Sequence, residues 1–282
     1  MAAPPWCKLV SGWLAQLFLR YASPLFGLRN IPVLGRFAQW ASHRLVPRDS
    51  RVWVQVHGGP GEGLWLCLNP RTGSDYLQGG GEPEVQAALQ RYLRPGMIFY
   101  DIGANIGFFS LLAARIVGPE GRVVAFEADP EVAERLREHV AHNQFSNIVV
   151  HQKAVWSETR TVFFARADPG ASPDRGLGHV APTSANDTVQ VSAVSLDEFI
   201  QTSSPPDFLK CDVEGAEAEV FRGAQRLLKE NRPILLCEMH TRGNRRALLE
   251  EFAALGYNCE PLDETHILAL PSLVGPMIID SK

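Results

Sequence analysis

Four ionisable side chains occur as two pairs near the ends of two apolar segments of the chain. Asp212 and Glu214 form the first pair, and Glu238 and His240 form the second. Residues two apart on a regular strand point to the same face of a sheet. Because open parallel sheets bind ligands at the carboxyl ends of their strands, we expect three carboxylates and one imidazole to converge there if the two strands are neighbours.

Such a cluster could remove a proton from a bound hydroxyl group. His240 is the preferred general base, since the unperturbed pKa of imidazole, about 6.5, suits proton removal at neutral pH. Glu238 or Asp212 is expected to orient the imidazole or to hold the hydroxyl. Glu214 has a second interpretation, because a glycine and a predicted helix follow it and an acidic residue there can cap the helix. Lys210, in the same strand, is expected to pair with one of the carboxylates.

A divalent cation is the alternative use of the same residues. Asp212, Glu238 and His240 offer mostly oxygen ligands, which suit Mg²⁺ or Mn²⁺ activating a hydroxyl. Clustered carboxylates also bind sugar hydroxyls without metal, and the spacing does not decide between the two, so no metal ligand is assigned. The remaining histidines are scattered and are interpreted as structural or surface residues: His43, His57, His139, His142, His151, His179 and His266.

A glycine-rich turn between a predicted strand and a predicted helix is the second chemical signal. The turn reads Asp101-Ile102-Gly103-Ala104-Asn105-Ile106-Gly107. Gly103 and Gly107 allow the backbone to turn sharply and to approach a ligand closely. The helix that follows offers free N–H groups and its positive end to polar ligand atoms.

The residue at the end of the next predicted strand, Glu127, can accept both hydroxyls of a ribose. The glycine spacing G-x-x-x-G differs from the G-x-G-x-x-G of nicotinamide and flavin sites. Asp101 would be unfavourable beside a pyrophosphate, but it favours the cationic sulfonium and ammonium groups of S-adenosylmethionine (SAM). The predicted SAM contacts, shared by the product S-adenosylhomocysteine, are Asp101, Gly103, Ala104, Asn105, Gly107, Glu127, Ala128, Ala154 and Asp212.

Strands and helices alternate along most of the chain. Periodicity predicts strands at 97–102, 123–127, 148–155, 208–213 and 234–239, and helices at 83–93, 108–117, 130–143, 216–230 and 244–255. A closing hairpin, 257–261 with 266–270, would add an antiparallel strand. This alternation is typical of an α/β protein whose parallel sheet is covered by helices on both faces. Residues 165–190, rich in Pro, Gly, Ser and Asp, are expected to form a long loop that contacts substrate.

The chain divides into three predicted parts. Residues 1–50 carry an amphipathic helical segment, residues 51–80 a β-hairpin connector, and residues 81–282 the main domain. The apolar run near the start is too short and interrupted to span a bilayer, and no signal peptide is evident. The first segment is expected to pack on the main domain or on a second copy of the chain, as in a homodimer, with peripheral membrane contact as the alternative.

Composition narrows the classes of partner. A net charge of −4 at pH 7 gives no general attraction to nucleic acid. The five cysteines are scattered without a C-x-x-C pair, which argues against a disulfide framework or zinc site and favours a reducing, cytoplasmic compartment. Together with the strand-end cluster that could deprotonate a hydroxyl group, this favours a small molecule bearing a hydroxyl group as the expected acceptor.

The sequence resembles the FkbM family of SAM-dependent methyltransferases over roughly residues 80–270. One block is the 101–107 turn with Phe126-Glu127-Ala128-Asp129-Pro130. The more specific block is Leu209-Lys210-Cys211-Asp212-Val213-Glu214-Gly215-Ala216-Glu217, then Pro233-Ile234-Leu235-Leu236-Cys237-Glu238-Met239-His240. The resemblance implies a class I, Rossmann-like domain with a mostly parallel seven-stranded sheet. It also implies methyl transfer to oxygen, often on sugars or polyketide-type metabolites. Residues 1–80 and 165–190 lie outside it.

Three other functions were weighed. A base-amine methyltransferase would carry an N-P-P-Y-like turn where this chain has Asp212-Val213-Glu214-Gly215. A catalytically inactive SAM-fold binding protein would lack the strand-end carboxylates and His240, which are present. A dehydrogenase is disfavoured by the glycine spacing. O-methylation with His240 or a carboxylate as base is the function that the sequence favours, and a metal-assisted version is the alternative.

Overall fold

A computed structural model of the 282-residue chain describes residues 51–69, 76, 78–79, 81–166, 178–181, 183 and 188–272. The predicted helical segment at 1–50 lies outside the described residues. The chain forms two compact units, with the boundary between Gly81 and Glu82. In the described residues, no helix has the length and apolar character that a membrane span needs.

The first unit contains a β-hairpin. Strand β1 (Val52–Gln55) pairs antiparallel with β2 (Trp65–Leu68). The intervening turn is closed by a hydrogen bond from the Val56 N–H to the Leu64 carbonyl (2.8 Å). The predicted hairpin is confirmed, whereas the proposed domain boundaries stay predictions.

In the described residues of the second unit, eleven strands form two sheets. In chain order they are β3 (Ile98–Ile102), β4 (Arg122–Phe126), β5 (Ile148–His151), β6 (Ala154–Val155), β7 (Arg160–Ala165), β8 (His179–Ala181), β9 (Thr188–Val194), β10 (Phe208–Cys211), β11 (Ile234–Glu238), β12 (Tyr257–Pro261) and β13 (His266–Pro271). The large sheet has seven strands in the order β12-β13-β11-β10-β3-β4-β5. Strands β11, β10, β3, β4 and β5 are parallel, and β13 joins β11 antiparallel. This confirms a class I SAM methyltransferase fold.

The helices of the second unit connect these strands. They are α1 (Pro83–Tyr92), α2 (Phe108–Val117), α3 (Pro130–His142), α4 (Leu196–Phe199), α5 (Glu217–Arg222) and α6 (Arg242–Ala254). Helix α3 begins as predicted, because the Asp129 side chain accepts hydrogen bonds from the N–H groups of Glu131 and Val132. The single helix predicted over 216–230 is wrong. Helix α5 ends at Gly223, where a Cβ would lie 2.2 Å from the Trp156 carbonyl oxygen, and a π-helical turn follows at Leu227–Asn231.

The single strand predicted over 148–155 is also wrong. Strand β5 ends at His151, and β6 begins a second, four-stranded sheet in the order β6-β9-β7-β8. The loop expected over 165–190 is shorter than predicted, because β8 and the start of β9 occupy part of it. The residues of β9, Thr-Val-Gln-Val-Ser-Ala-Val, alternate between polar and apolar, which is the pattern of a strand. The loop prediction missed this pattern because it relied on the Pro, Gly, Ser and Asp content of residues 165–190.

Two clusters of buried apolar side chains hold the second unit together. The main cluster lies against the large sheet and includes Tyr100, Phe221 and Phe252. A smaller cluster belongs to the four-stranded sheet and includes Ala154 and Phe164. The short strand pair β6 and β9 contributes to both clusters, because successive side chains of a strand point to opposite faces.

Candidate functional site

The glycine-rich turn runs from β3 to α2. Gly103 (φ 76°) and Gly107 (φ 89°) both adopt left-handed backbone conformations, which confirms the predicted sharp turn. A Cβ on Gly103 would lie 1.8 Å from the Asp212 carbonyl oxygen, and one on Gly107 would lie 2.0 Å from Leu136 Cδ1. Both positions therefore require glycine because protein atoms approach them closely, a reason that differs from the ligand approach expected from the sequence.

Two acceptor atoms of this turn are available to a ligand. Asp101 is fully buried, and its Oδ2 accepts a hydrogen bond from Ser110 Oγ (2.5 Å). Asp101 Oδ1 and Asn105 Oδ1 have no hydrogen-bond partner among the described residues. Burial raises the pKa of Asp101, an effect opposed by Lys210, whose Nζ lies 3.8 Å from Oδ1. A ligand that brings an ammonium or sulfonium group would fit this acceptor-rich turn.

Glu127, at the end of β4, is held by the backbone. The N–H groups of Asn105 and Asp129 each donate to one of its carboxylate oxygens at 2.8 Å. Glu127 is 8% exposed, and this burial raises the pKa of its carboxyl to about 7. Each oxygen keeps a lone pair, so the oriented carboxylate can still accept ribose hydroxyls.

The three predicted alanine contacts lie around these groups. The Ala104 N–H donates to the Phe126 carbonyl oxygen (2.9 Å), which ties the turn to β4. Ala154 is buried in the small apolar cluster, and Ala128 packs against that cluster. The methyl group of Ala154 packs against protein neighbours. A contact between this side chain and a cofactor stays a prediction.

The strand-end residues converge as predicted. Strands β10 and β11 are parallel neighbours, with Cys211 in register with Cys237 immediately before Asp212 and Glu238. His240 Nε2 lies 3.2 Å from Glu214 Oε2, 3.8 Å from Asp212 Oδ1 and 3.8 Å from Glu238 Oε2. Three carboxylates thus surround one imidazole nitrogen.

The other nitrogen of His240 contacts Glu217, a residue that we did not predict in the site. Glu217 Oε1 lies 2.7 Å from Nδ1 and also accepts a hydrogen bond from the Gly215 N–H (2.9 Å). The Glu217 hydrogen bond raises the pKa of His240 to about 9, so the ordinary pKa expected for this base is wrong. Glu217 is part of the D-V-E-G-A-E block. We did not assign it to the site because acidic residues are common in the first turn of a helix, where Glu217 lies.

Opposing effects set the charge of the two strand-end carboxylates. Lys210 is buried and its Nζ lies 3.2 Å from Asp212 Oδ2, which confirms the predicted pairing. Burial of Asp212 opposes ionisation, but Lys210, the hydrogen bond with Glu238 and the nearby His240 together outweigh it and lower the pKa of this carboxyl. For Glu238, burial and the nearby Asp212 raise the pKa to about 7. Of the two carboxyls, Glu238 is therefore the one that takes up a proton more readily near neutral pH.

Glu214 belongs to the cluster and does not cap α5. The N-cap of that helix is Ala216, which makes no side-chain capping bond. Glu214 itself has a left-handed backbone (φ 51°). Burial raises the pKa of its carboxyl, while His240, and more weakly His179 of β8, lower it. The electrostatic influence of His179 indicates that the four-stranded sheet borders the cluster.

His266 of β13 was interpreted as structural or surface, and the structure instead places it beside Glu238. Its side chain is 4% exposed, and its Nδ1 lies 2.8 Å from Asp263 Oδ2. Its Nε2 lies 3.4 Å from Glu82 Oε2 and 3.8 Å from Glu238 Oε2. The spacing Asp263-x-x-His266 across a short turn was the signal in the sequence that could have shown this.

Asp212, Glu238 and His240 are also the group that could hold a metal ion. Each offers one ligand atom, and the three atoms lie within 4.8 Å of one another. One imidazole and two carboxylates form a mixed, oxygen-rich donor set that fits Mg²⁺ or Mn²⁺.

The profile of the Methyltransferase FkbM domain matches residues 101–259. The chain belongs to this family. The match spans the glycine turn, Glu127 and both strand-end pairs, so every residue of the site except Glu82, Asp263 and His266 lies within it.

Several relatives match parts of the chain. The arsenite methyltransferase of Halobacterium salinarum is 28% identical over 149 residues, 50% of this chain and 36% of the relative. The hexuronic acid methyltransferase AglP of Haloferax volcanii is 25% identical over 162 residues, 57% of this chain and 63% of the relative. The 31-O-demethyl-FK506 methyltransferase FkbM of Streptomyces tacrolimicus is 29% identical over 198 residues, 60% of this chain and 72% of the relative. The chain thus spans less than two thirds of the length of the first two relatives.

Among solved structures, the methyltransferase FkbM of Methylobacillus flagellatus is similar with a TM-score of 0.46 and 20% identity, covering 64% of this chain and 45% of that chain.

Proposed function

We propose that this FkbM-family methyltransferase transfers a methyl group from SAM to a hydroxyl oxygen of a small molecule, a sugar or a polyketide-type metabolite. The observation that carries the proposal is the contact between the two halves of the site. The carbonyl oxygen of Asp212 lies 1.8 Å from the position that a Gly103 Cβ would take, so the backbone that carries this carboxylate adjoins the cofactor turn. A hydroxyl held by Asp212 or Glu238 would therefore lie next to the methyl donor.

Glu238 is the favoured proton acceptor. Methyl transfer to oxygen is an in-line displacement at carbon, and the hydroxyl proton must leave as the carbon–oxygen bond forms. A general base works best when its pKa is close to the ambient pH, and the pKa of Glu238 is about 7. His240, with a pKa of about 9, carries its proton at neutral pH and balances the surrounding carboxylates. SAM supplies the electrophilic methyl group, and the protein positions and deprotonates the acceptor.

One of the relatives supports oxygen as the acceptor atom. The FkbM of Streptomyces tacrolimicus is named for methylation of an oxygen of 31-O-demethyl-FK506, and AglP of Haloferax volcanii is named for a sugar-derived substrate, a hexuronic acid. The cluster also favours a neutral polyol at the reacting end, since several carboxylates would repel an anion. Its excess of acidic groups argues against nucleic acid as the acceptor.

A methyl-transfer assay tests the proposal. Purified protein is incubated with methyl-labelled SAM and a panel of sugars, polyols, macrolides and amines. We expect label in a hydroxyl-bearing acceptor, a large loss of turnover in Glu238→Gln, and retained activity in Glu250→Gln on the exposed face of α6. Label in amines only, or full turnover in Glu238→Gln with the true acceptor, would contradict it.

A metal-assisted version uses the same residues and is the second candidate. It is favoured by the three ligand atoms of Asp212, Glu238 and His240, which lie within 4.8 Å of one another. A bound divalent ion would lower the pKa of the acceptor hydroxyl. Chelator-treated protein is titrated with Mn²⁺ by calorimetry, with Asp212→Asn as the comparison. Binding that Asp212→Asn abolishes supports this version, and no binding at millimolar Mn²⁺ rejects it.

A further inference from the structure

Two imidazoles flank the carboxylate of Glu238 at equal distances. Glu238 Oε2 lies 3.8 Å from Nε2 of His240 and 3.8 Å from Nε2 of His266. The two histidines approach from different strands of the sheet. His240 follows the end of β11 itself, and His266 is the residue of β13 that pairs in register with Glu238.

Each imidazole is fixed from behind by its own carboxylate. Glu217 Oε1 contacts Nδ1 of His240 at 2.7 Å, and Asp263 Oδ2 contacts Nδ1 of His266 at 2.8 Å. A carboxylate at Nδ1 sets the tautomer and the ring plane of a histidine, and so aims Nε2. Both Nε2 atoms therefore face the same Glu238 oxygen at 3.8 Å, while the nearest carboxylate oxygen is Glu214 Oε2 for His240 (3.2 Å) and Glu82 Oε2 for His266 (3.4 Å).

The anchor of His266 is built into the closing turn. Asp263 Oδ1 accepts hydrogen bonds from the N–H groups of Thr265 (2.8 Å) and His266 (2.7 Å), while Oδ2 takes the imidazole. One aspartate thus fixes both the backbone and the side chain of His266. Because His266 is 4% exposed, water does not compete for its orientation.

Glu82 faces the same nitrogen of His266 as Glu238 does. Its Oε2 lies 3.4 Å from His266 Nε2. Glu82 adopts a left-handed backbone (φ 48°) at the start of α1 without capping that helix. Non-glycine residues in this conformation carry strain that the surrounding structure must offset. The strained position directs an otherwise ordinary helix-start residue towards His266.

We propose that Asp263 and His266 form a positioning pair that holds Glu238 in place for proton transfer, as Glu217 does for His240. The inference rests on the proposed function, because Glu238 is the proposed base. Among the described residues, the ion-pair contacts of the pair lead to Glu238 and Glu82 rather than to the cofactor turn, so in this proposal the pair acts through Glu238. Misplacing a reacting group by about 1 Å can cost up to about 100-fold in rate, so the pair should affect turnover strongly.

Two matched substitutions separate positioning from packing. In His266→Gln the amide nitrogen reaches about as far as Nε2 and keeps a donor towards Glu238. In His266→Asn the amide nitrogen takes the place of Nδ1, so it keeps the contact with Asp263 and loses the donor towards Glu238. His142→Gln, at an exposed position of α3, serves as the control.

The decisive experiment combines crystal structures with S-adenosylhomocysteine bound and turnover with the acceptor found by the assay above. Positioning predicts that Glu238 keeps its place in His266→Gln and moves in His266→Asn. It also predicts that kcat falls about 10- to 100-fold in His266→Asn alone, with the KM for SAM unchanged. Glu238 remaining in place in His266→Asn, or equal loss of kcat in both variants, overturns the pair. Absence of any hydroxyl acceptor overturns the proposed function instead, and the position of Glu238 still decides the inference.

Discussion

Glu217 and His240 are joined by a contact of 2.7 Å between a fully buried carboxylate and Nδ1 of the imidazole. The pair links the first turn of α5 to the end of β11, so it fixes the imidazole among the carboxylates. The same contact determines the charge of His240, since it is the largest cause of the raised pKa.

Removing the charge of Glu217 should lower the pKa of His240. A histidine whose pKa is raised from about 6.5 to about 9 stabilises the fold fully below pH 6.5 and loses that stabilisation as the pH rises through 9. In Glu217→Gln this pH-dependent loss should shrink. Urea unfolding at pH 6 and pH 9.5 measures it, with Asn244→Ala as the control that removes a neighbouring amide but keeps the carboxylate. An unchanged difference between the two pH values would contradict the assignment.

Cofactor affinity should depend on the ionisation of Glu127. Ribose hydroxyls donate to its carboxylate, and its pKa of about 7 in the free protein means that it must lose a proton before it accepts both. The Kd for S-adenosylhomocysteine should therefore be about tenfold weaker at pH 6 than at pH 8. Calorimetry at the two pH values tests this, and Glu127→Gln should bind weakly with little pH dependence. Equal affinity of the wild type at both values would exclude Glu127 from the ribose contact.

Gly103→Ala should separate the cofactor turn from β10. A left-handed alanine alone costs about 1–2 kcal/mol. At Gly103 the new Cβ must in addition displace the Asp212 carbonyl, which overpacking data suggest costs a further 1–3 kcal/mol, roughly. Gly96→Ala is the matched control, because Gly96 has a similar φ of 85° and no atom within 4 Å of the added Cβ. Chemical unfolding compares the two, and equal losses would show that the close approach carries no cost.

Lys210→Met should destabilise the fold by about 3–5 kcal/mol, because it leaves the buried Asp101 and the half-buried Asp212 without their cation. The double variant Lys210→Met with Asp101→Asn removes one of the two uncompensated charges and should recover part of the loss. Both are measured by urea unfolding at pH 8. A double variant less stable than Lys210→Met would mean that Asp101 does not depend on Lys210.

The sequence predicted the parallel core of the fold and the convergence of Asp212, Glu214, Glu238 and His240, because both follow from local periodicity and from the position of residues at strand ends. The charge state of His240 could not be predicted in this way. It depends on Glu217, whose approach is set by the packing of α5 against the sheet. His266 was missed for a similar reason, since its partner Glu238 is 28 residues away and only strand register brings them together.

The four-stranded sheet could not be predicted from the sequence either, because it also depends on long-range strand pairing. The apolar run from Ile148 to Val155 is continuous in sequence, and nothing local marks its division between β5 and β6. Only the long-range pairing of Ala154 and Val155 with Ala193 and Val194 of β9 shows that the chain has left the large sheet.

Because β5 and β6 belong to different sheets, we expect the two sheets to differ in their resistance to local unfolding. Val155 and Val194 pack into the main apolar cluster, whereas Ala154 and Ala193 on the opposite face pack into the small one. Amide hydrogens of β8, which among the described strands pairs with β7 alone, should exchange with solvent first, those of β7 next, and those at the β6–β9 junction last. We therefore expect the part of the molecule that borders Glu214 to open locally more often than the strands that carry Asp212 and Glu238.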